Sequence, residues 1–120
     1  MTPAEATTAA GEAAEAIRSL NHHTRAGTVA FDVSEVYDLL GELALMMSRL
    51  PQLLRQLEDV LDDLIEHDEI VIVDGVNRGD PVAVAAICGH WIASAAGAAH
   101  DLAHHIDAAH QTLTWAAPTP

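Results

Sequence analysis

The sequence predicts an all-α protein, an elongated antiparallel helical bundle of two long helices and a shorter N-terminal helix. Apolar residues recur at helical spacing over two stretches of nearly equal length, residues 32–66 and 81–117. One short, turn-rich loop at residues 69–80 joins them, and a third helical stretch at residues 3–20 reaches about half as far. At 120 residues, the chain is predicted to form a single domain over residues 1–120.

The N-terminal helix is predicted over about residues 3–21. The Thr2 hydroxyl can cap it, Pro3 suits the first helical position, and Glu5 stands where a capping box needs its acid. The apolar stripe of this helix is thin and mostly alanine: Ala10, Ala13, Ala14, Ile17 and Leu20. Such a helix is marginal alone, so we expect it to dock on the rest of the chain. Residues 21–31 are predicted to be a connection.

The second helix is predicted over residues 32–67, with Asp32 as its cap and Glu35 three residues later. Pro51 lacks an N–H and clashes with the carbonyl of Met47, so we expect a kink or a break near residue 51. The apolar pattern resumes at once. Its residues from Leu50 to Ile65 span an arc of about 140°, which is wider than the seam that one antiparallel helix covers.

The third helix is predicted over residues 81–116, where Asp80-Pro81 repeats the capping pattern of Thr2-Pro3. The segment before it, Ile70–Val73, is β-prone but has no second strand to pair with, so we interpret it as an extended loop. One face of the third helix collects apolar residues: Val84, Ile87, Trp91, Ala95, Ala98, Leu102, Ile106, Ala109 and Leu113.

The helix lengths predict a surface that the chain cannot cover by itself. Each long helix would span roughly 50 Å if straight, whereas a compact domain of this length has a radius of gyration of about 14 Å. The short helix can cover residues 32–50 and the last half of the final helix, which leaves residues 51–65 and 82–99 exposed. Alternatively, the short helix bends over this end, or the Pro51 kink folds the chain into a four-helix bundle.

We expect a second copy of the chain to cover the exposed end, as a two-fold dimer, and we leave open an unidentified protein partner. The function that follows is a non-enzymatic helical interaction or assembly protein that self-associates through an apolar helical face. The interface candidates are Leu53, Leu57, Val60, Leu61, Leu64, Val84, Ile87, Trp91, Ala95 and Ala98.

The acidic composition limits other partners. The formal net charge is −13, with a pI near 4.6, so the surface repels phosphate backbones and anionic lipid. Because of this charge, we expect no direct nucleic-acid binding. We also expect no membrane association, since Gly89, His90 and Ser94 interrupt the most apolar window of the sequence. Cys88 is the only cysteine, which rules out an intrachain disulfide and fits a reducing compartment. With no signal-peptide pattern at the N-terminus, a cytoplasmic location is expected.

The acidic run near the end of the second helix supports an alternative function. It comprises Glu58, Asp59, Asp62, Asp63, Glu66, Asp68 and Glu69. Such a surface can bind a basic protein, so the chain would act as an acidic decoy or inhibitor that mimics DNA. The simpler interpretation is the solvated face of an amphipathic helix, which the spacing also suits.

No set of residues predicts catalysis or a cofactor, because the sequence shows neither a nucleophile with its base nor a glycine-rich phosphate loop. His100, His104 and Asp107 share one stripe of the third helix, and two histidines four residues apart can bind one metal ion. Since no further ligand motif accompanies them, we interpret them as a solvated polar face. A histidine-based metal-binding bundle is the second alternative.

Several segments resemble one group of known sequences. They are Leu20-Asn21-His22-His23-Thr24, Asp32-Val33, Val36-Tyr37, Leu40-Gly41 and Leu50-Pro51-Gln52-Leu53-Leu54. Together they cover roughly the central third of the chain and resemble a group of small, uncharacterised all-helical proteins of high-GC actinobacteria. The resemblance implies an all-helical fold and an actinobacterial source, and it implies no particular activity. The absence of lysine, with arginine as every basic residue besides histidine, fits such a genome.

Overall fold

The chain forms three α-helices and no strand in the residues that the computed structural model describes, 1–25 and 31–120. The helices are α1 (Pro3–His23), α2 (Val33–Glu66) and α3 (Pro81–Thr112). The radius of gyration is 19.5 Å and the principal extents are 67 × 29 × 25 Å. The predicted fold class, all-α and elongated, is therefore confirmed. Residues 26–30, part of the predicted connection, lie outside the described residues.

All three helices begin at the predicted caps. The Thr2 hydroxyl accepts the Glu5 N–H at 3.2 Å, and the Glu5 carboxylate accepts the Thr2 N–H at 2.9 Å. Asp32 and Glu35 form the same reciprocal pair at 2.9 and 3.3 Å. At α3 the Asp80 carboxylate accepts the Ala83 N–H at 3.1 Å. These bonds satisfy N–H groups that have no partner within the helix, which is why each helix starts where it does.

Two helix ends differ from the predictions. α1 continues through Asn21 to His23 and closes at Thr24, whose hydroxyl and N–H both donate to the Leu20 carbonyl at 2.8 and 2.9 Å. α3 ends at Thr112 rather than at residue 116, and turns follow. The hydroxyl of Thr114 donates to the Gln111 carbonyl at 2.6 Å. Such local bonds from threonine compete with the helical ladder and end it early.

α2 is one continuous helix with Pro51 in its interior. The chain does not restart at Pro51, although the proline removes one backbone hydrogen bond. Pro51 is buried, so the ring contributes to the side of α2 that packs on α3. Because α2 continues past Pro51, the alternative in which the chain folds at this residue into a four-helix bundle is wrong.

The loop between α2 and α3 is extended and then turns, as predicted. Asp68, Gly75 and Gly79 have positive φ angles of 52°, 92° and 76°, and glycine adopts such angles without strain. The Gly79 N–H donates to the Ile72 carbonyl at 3.0 Å and closes the loop. α3 therefore returns along α2 in the antiparallel direction.

The contact between α2 and α3 is built on small residues. The buried residues are Ala44 and Pro51 of α2 and Ala85, Ala96, Ala99 and Ala103 of α3. No large side chain is fully buried in the described residues. Small side chains let helix axes approach closely, but they bury little apolar area.

Two side-chain contacts fix the register of the hairpin. The rings of Tyr37 and His110 stack with centroids 4.0 Å apart. A Cβ on Gly89 would lie 3.4 Å from a carboxylate oxygen of Glu58, so these two residues also lie level with each other.

α1 packs on neither long helix. It has no buried residue, and within the described parts of the chain only α2 and α3 contact each other. The prediction that α1 covers residues 32–50 and the last half of α3 is therefore wrong. The reason lies in its stripe, where only Ile17 and Leu20 are large. An alanine stripe gains little by docking because each methyl group buries little area.

Candidate interaction surface

α2 carries two parallel rows of residues at alternating spacings of three and four. The first, which we call the α2 inner row, faces α3: Tyr37, Leu40, Ala44, Met47, Pro51, Leu54, Glu58, Leu61 and Ile65. The second starts one residue earlier and is called the α2 stripe: Val36, Leu39, Leu43, Met46, Leu50, Leu53, Leu57, Val60 and Leu64. Every residue of the α2 stripe is apolar. A heptad pattern of this kind is the signature of a helix that packs against a partner helix.

α3 repeats this arrangement with smaller residues. Its inner row, which faces α2, contains Ala85, Gly89, Ile92, Ala96, Ala99, Ala103, Ile106 and His110. The row one residue earlier is called the α3 stripe: Val84, Cys88, Trp91, Ala95, Ala98, Leu102, His105 and Ala109. His105 is the single residue of the α3 stripe that is not apolar.

Both stripes lie on the same side of the hairpin. The grooves on the opposite side are lined by residues that follow the inner rows by one position, among them Gly41, Ser48 and Asp62 of α2 and His90 and His104 of α3. Each residue turns a helix by about 100°, so residues that precede the inner rows point to the other side. The α2 stripe and the α3 stripe therefore form one surface, which we call the apolar face.

The apolar face is widely exposed. Trp91 is 66% exposed, Val60 53%, and Leu53 and Leu57 49% each. Beside the face, Ile87 is 51% exposed. Of the other interface candidates, Ala95 and Ala98 are exposed and Leu64 and Val84 are half-buried. None of the ten is buried, although this exposure alone shows no partner.

Two details differ from the sequence analysis. Leu61 belongs to the α2 inner row, so it points toward α3 and not into the apolar face. The face also continues beyond the predicted end of the hairpin, through Val36, Leu43 and Leu102, because α1 covers none of it. The heptad spacing of the α2 stripe was present in the sequence and could have revealed this length.

The total surface is large for the size of the chain. The accessible area is 9048 Å² for 12.7 kDa. A compact monomer of this mass exposes about 6,200 Å², so the excess is about 2,800 Å². Exposed α1 contributes part of it, and the apolar face contributes another part. Obligate interfaces bury about 2,000–5,000 Å² in total, or about 1,000–2,500 Å² per chain, so one such interface would remove much of this excess.

The opposite side of the hairpin is polar. His100, His104 and Asp107 line one groove there, together with Gly41 and Ser48. Asp107 accepts the Gln111 side-chain N–H at 2.8 Å and lies 3.8 Å from His110 Nδ1. No group of three or more potential ligands in the described residues is placed to hold a metal ion. The three metal candidates line the same groove. The Asp107 carboxylate already contacts Gln111 and His110 of its own helix.

The acidic run lies mostly in solvent. Glu58 is half-buried beside Gly89, and the other acids of the run are exposed. Glu15 pairs with Arg18, and Asp107 lies beside His110, so neither of these contacts engages an acid of the run. The run thus has the exposure of a solvated helix face.

α3 is also long and apolar enough to cross a membrane, by the measures of length and composition alone. Its most apolar window has a mean hydropathy of 1.6 and is 11% buried in the chain. The expected lack of membrane association stays a prediction, because the core helix of a soluble protein has the same length and composition. Flotation with liposomes, described below, measures membrane binding directly.

The single cysteine, Cys88, is a free, exposed thiol within the α3 stripe. Comparisons with known proteins give no further guide to function: no family model, no curated protein and no solved structure matches the chain.

Proposed function

We propose that the protein is a non-enzymatic helical assembly protein whose apolar face pairs with the apolar face of a second copy. The observation that carries the proposal is the contrast between burial and composition. Half of the residues are hydrophobic, yet the buried hydrophobic residues of the described chain are five alanines. Hydrophobic burial is the main term that offsets conformational entropy, so an isolated hairpin of this kind has little to stabilise it.

A second copy fits the face better than an unrelated partner for two reasons. Closed two-fold pairing lets one surface cover itself, and it is the commonest form of assembly for one chain. The heptad spacing of the α2 stripe supports a helical occupant of equal length, and the second hairpin supplies two such helices. The result would be a four-helix core in which the large side chains of both copies are buried.

The test compares two double variants with the same added charge and the same spacing on α2. Leu53→Asp with Leu57→Asp places two carboxylates in the apolar face, whereas Ser48→Asp with Gln52→Asp places them at exposed positions outside the face. Light scattering after size-exclusion chromatography should give a dimer for the unmodified chain and the control. The face variant should be monomeric or unfolded, because a charge in a buried apolar interface costs several kcal/mol.

Flotation with liposomes of neutral lipid separates the second copy from a membrane. We expect the unmodified protein to stay in the dense fraction as a dimer. A monomer that floats with the liposomes, and that loses this binding in the face variant, would replace the proposal with membrane association. A folded monomer that neither pairs nor floats would contradict the proposal.

A further inference from the structure

We infer that the two copies pair with both loops at the same end, so that α2 of each copy packs on α3 of its partner. This inference rests on the proposed self-association. Two closed arrangements bring the apolar faces together. In the same-end arrangement each α2 lies on the partner's α3, and in the opposite-end arrangement α2 lies on the partner's α2. All neighbouring helices are antiparallel in both, so helix direction does not separate them.

Side-chain size favours the same-end arrangement. The α2 stripe has large residues throughout, whereas four of the eight residues of the α3 stripe are small: Cys88, Ala95, Ala98 and Ala109. Packing one stripe on the other places large residues against small ones along both seams, so both seams have a similar width. The opposite-end arrangement pairs large residues with large residues on the α2 seam, and on the α3 seam it brings together the alanines near Ala95 and Ala98. The two hairpins would then splay.

Charge at the rim of the face favours the same arrangement. The outer rim of α2, on the side away from α3, carries Glu35, Glu42, Arg49, Gln56 and Asp63 at heptad spacing. With the α2 stripes centred on each other, the opposite-end arrangement brings Arg49 against Arg49 of the partner and Glu35 against Asp63 of the partner. Like charges at such positions repel, so this arrangement is opposed at three places along one seam.

In the same-end arrangement the rim charges are complementary. Tyr37 lies level with His110, and the pairing of Glu58 with Gly89 continues the same register. Because a two-fold axis along the bundle keeps these levels, Glu42 lies level with His105 of the partner, and Arg49 lies within one turn of Asp101 of the partner. His105, the single polar residue in the α3 stripe, thereby meets a carboxylate. No ion pair within the described residues engages Arg49 or Asp101.

The free thiol supplies a direct test. Val60 of the α2 stripe lies level with Cys88 to within one residue, so the same-end arrangement places Val60 opposite Cys88 of the partner. Within one chain the two side chains point out of the same face and do not face each other. Mild oxidation of the Val60→Cys variant should therefore give a covalent dimer on a non-reducing gel. The added substitution Cys88→Ser should abolish it, because the Val60→Cys thiols then lie diagonally across the bundle, beyond the reach of a disulfide.

The opposite-end arrangement has its own reporter. Leu50 is the centre of the α2 stripe, so Leu50→Cys in the Cys88→Ser background would cross-link to its own copy only if α2 packs on α2. Cross-linking of this variant without cross-linking of Val60→Cys would overturn the inference. So would a dimer by light scattering that neither variant cross-links. Variants that are all monomeric by light scattering would instead overturn the proposed self-association.

A charge swap gives a second readout that needs no disulfide. Arg49→Glu should weaken the dimer about two- to thirtyfold, because the two-fold axis places this exposed ion pair in the dimer twice, and Asp101→Arg on the same chain should restore it. Under the opposite-end arrangement, Arg49→Glu replaces one like-charge pair with another. An unchanged affinity, or a double variant no tighter than the single one, would contradict the same-end arrangement.

Discussion

The two sides of the α2–α3 hairpin differ by one residue of register and have opposite characters. Residues just before the inner rows are apolar at every position except His105, and residues just after them are Gly, Ser, Asp and His at many positions. Since a helix turns about 100° per residue, this offset is enough to separate an apolar side of the hairpin from a more polar side. The proposed pairing rests on this difference.

The inner rows differ from both sides. They hold the two helices together through alanines that are 3–9% exposed, and they set the register with Tyr37, His110, Glu58 and Gly89. The hairpin thus has a close, narrow contact inside the chain and a broad apolar surface outside it. Substitutions that act on only one of these surfaces should separate folding from assembly.

The largest effect on assembly is expected from Trp91→Ala. Trp91 is the most exposed large side chain of the apolar face, and tryptophan is a frequent anchor of interfaces. We expect the substitution to weaken the dimer by about 2 kcal/mol or more, roughly 30-fold in Kd. Helical content at high concentration should not change. Trp115→Ala, which removes a 95% exposed tryptophan outside α3, is the control and should leave the Kd unchanged. Equal effects of the two would mean that Trp91 is no anchor.

Two neighbouring alanines of α3 should respond differently to replacement by leucine. Ala96 is 3% exposed between α2 and α3, whereas Ala95 belongs to the exposed α3 stripe. Ala96→Leu should destabilise the protein by about 1–3 kcal/mol because the close helix contact cannot hold the larger side chain. Ala95→Leu should cost less, since its side chain points into the apolar face. Urea unfolding at fixed concentration measures both, and a smaller loss for Ala96→Leu would place the helix contact elsewhere.

The polar side offers a smaller effect of opposite sign. A Cβ on Gly97 would meet no atom within 4 Å, so Gly97→Ala should stabilise α3 by about 0.5–1 kcal/mol through helix propensity. Gly41→Ala is the matched comparison, because its Cβ would lie 2.9 Å from His110 Nε2. That histidine must leave its stack on Tyr37, so the gain should be smaller or absent. Thermal unfolding measures the stability of both variants. Equal gains in stability would show that His110 does not hold its position on Tyr37 tightly.

The smallest effect is expected at the start of α2. The hydrogen bond from the Glu35 N–H, with a further bond from the Ser34 hydroxyl, lowers the pKa of Asp32 below its ordinary value. A lowered pKa means that the cap stabilises the helix above the ordinary pKa of aspartate and loses this effect as the pH falls through the lowered value. Asp32→Asn keeps an acceptor without the titration. Helical content should therefore fall less in this variant on acidification, and identical acid titrations would contradict the assignment.

The sequence predicted the fold where local chemistry decides it. The capping residues Thr2, Asp32 and Asp80 predicted the three helix starts, and each helix begins there. The packing of α3 was less predictable, since apolar or small residues surround most of the helix and its periodicity does not select one face. Trp91 lies outside the contact with α2, which Ala85, Ala96, Ala99 and Ala103 make instead. Small residues make this contact because they allow the helix axes to approach closely.

The position of α1 could not be derived from its length. Length shows how far a helix can reach, but docking depends on the apolar area it offers, and the α1 stripe offers mainly alanine. Because α1 does not cover the apolar face, the face extends along the full length of the α2–α3 hairpin.

Sedimentation equilibrium of the unmodified protein, from micromolar concentration downward, tests the central claim most directly. The account predicts a mass of twice 12.7 kDa at the highest concentrations, with unfolding or a folded monomer appearing only on dilution. A single well-folded species of 12.7 kDa at all concentrations, in buffer without lipid, would contradict it.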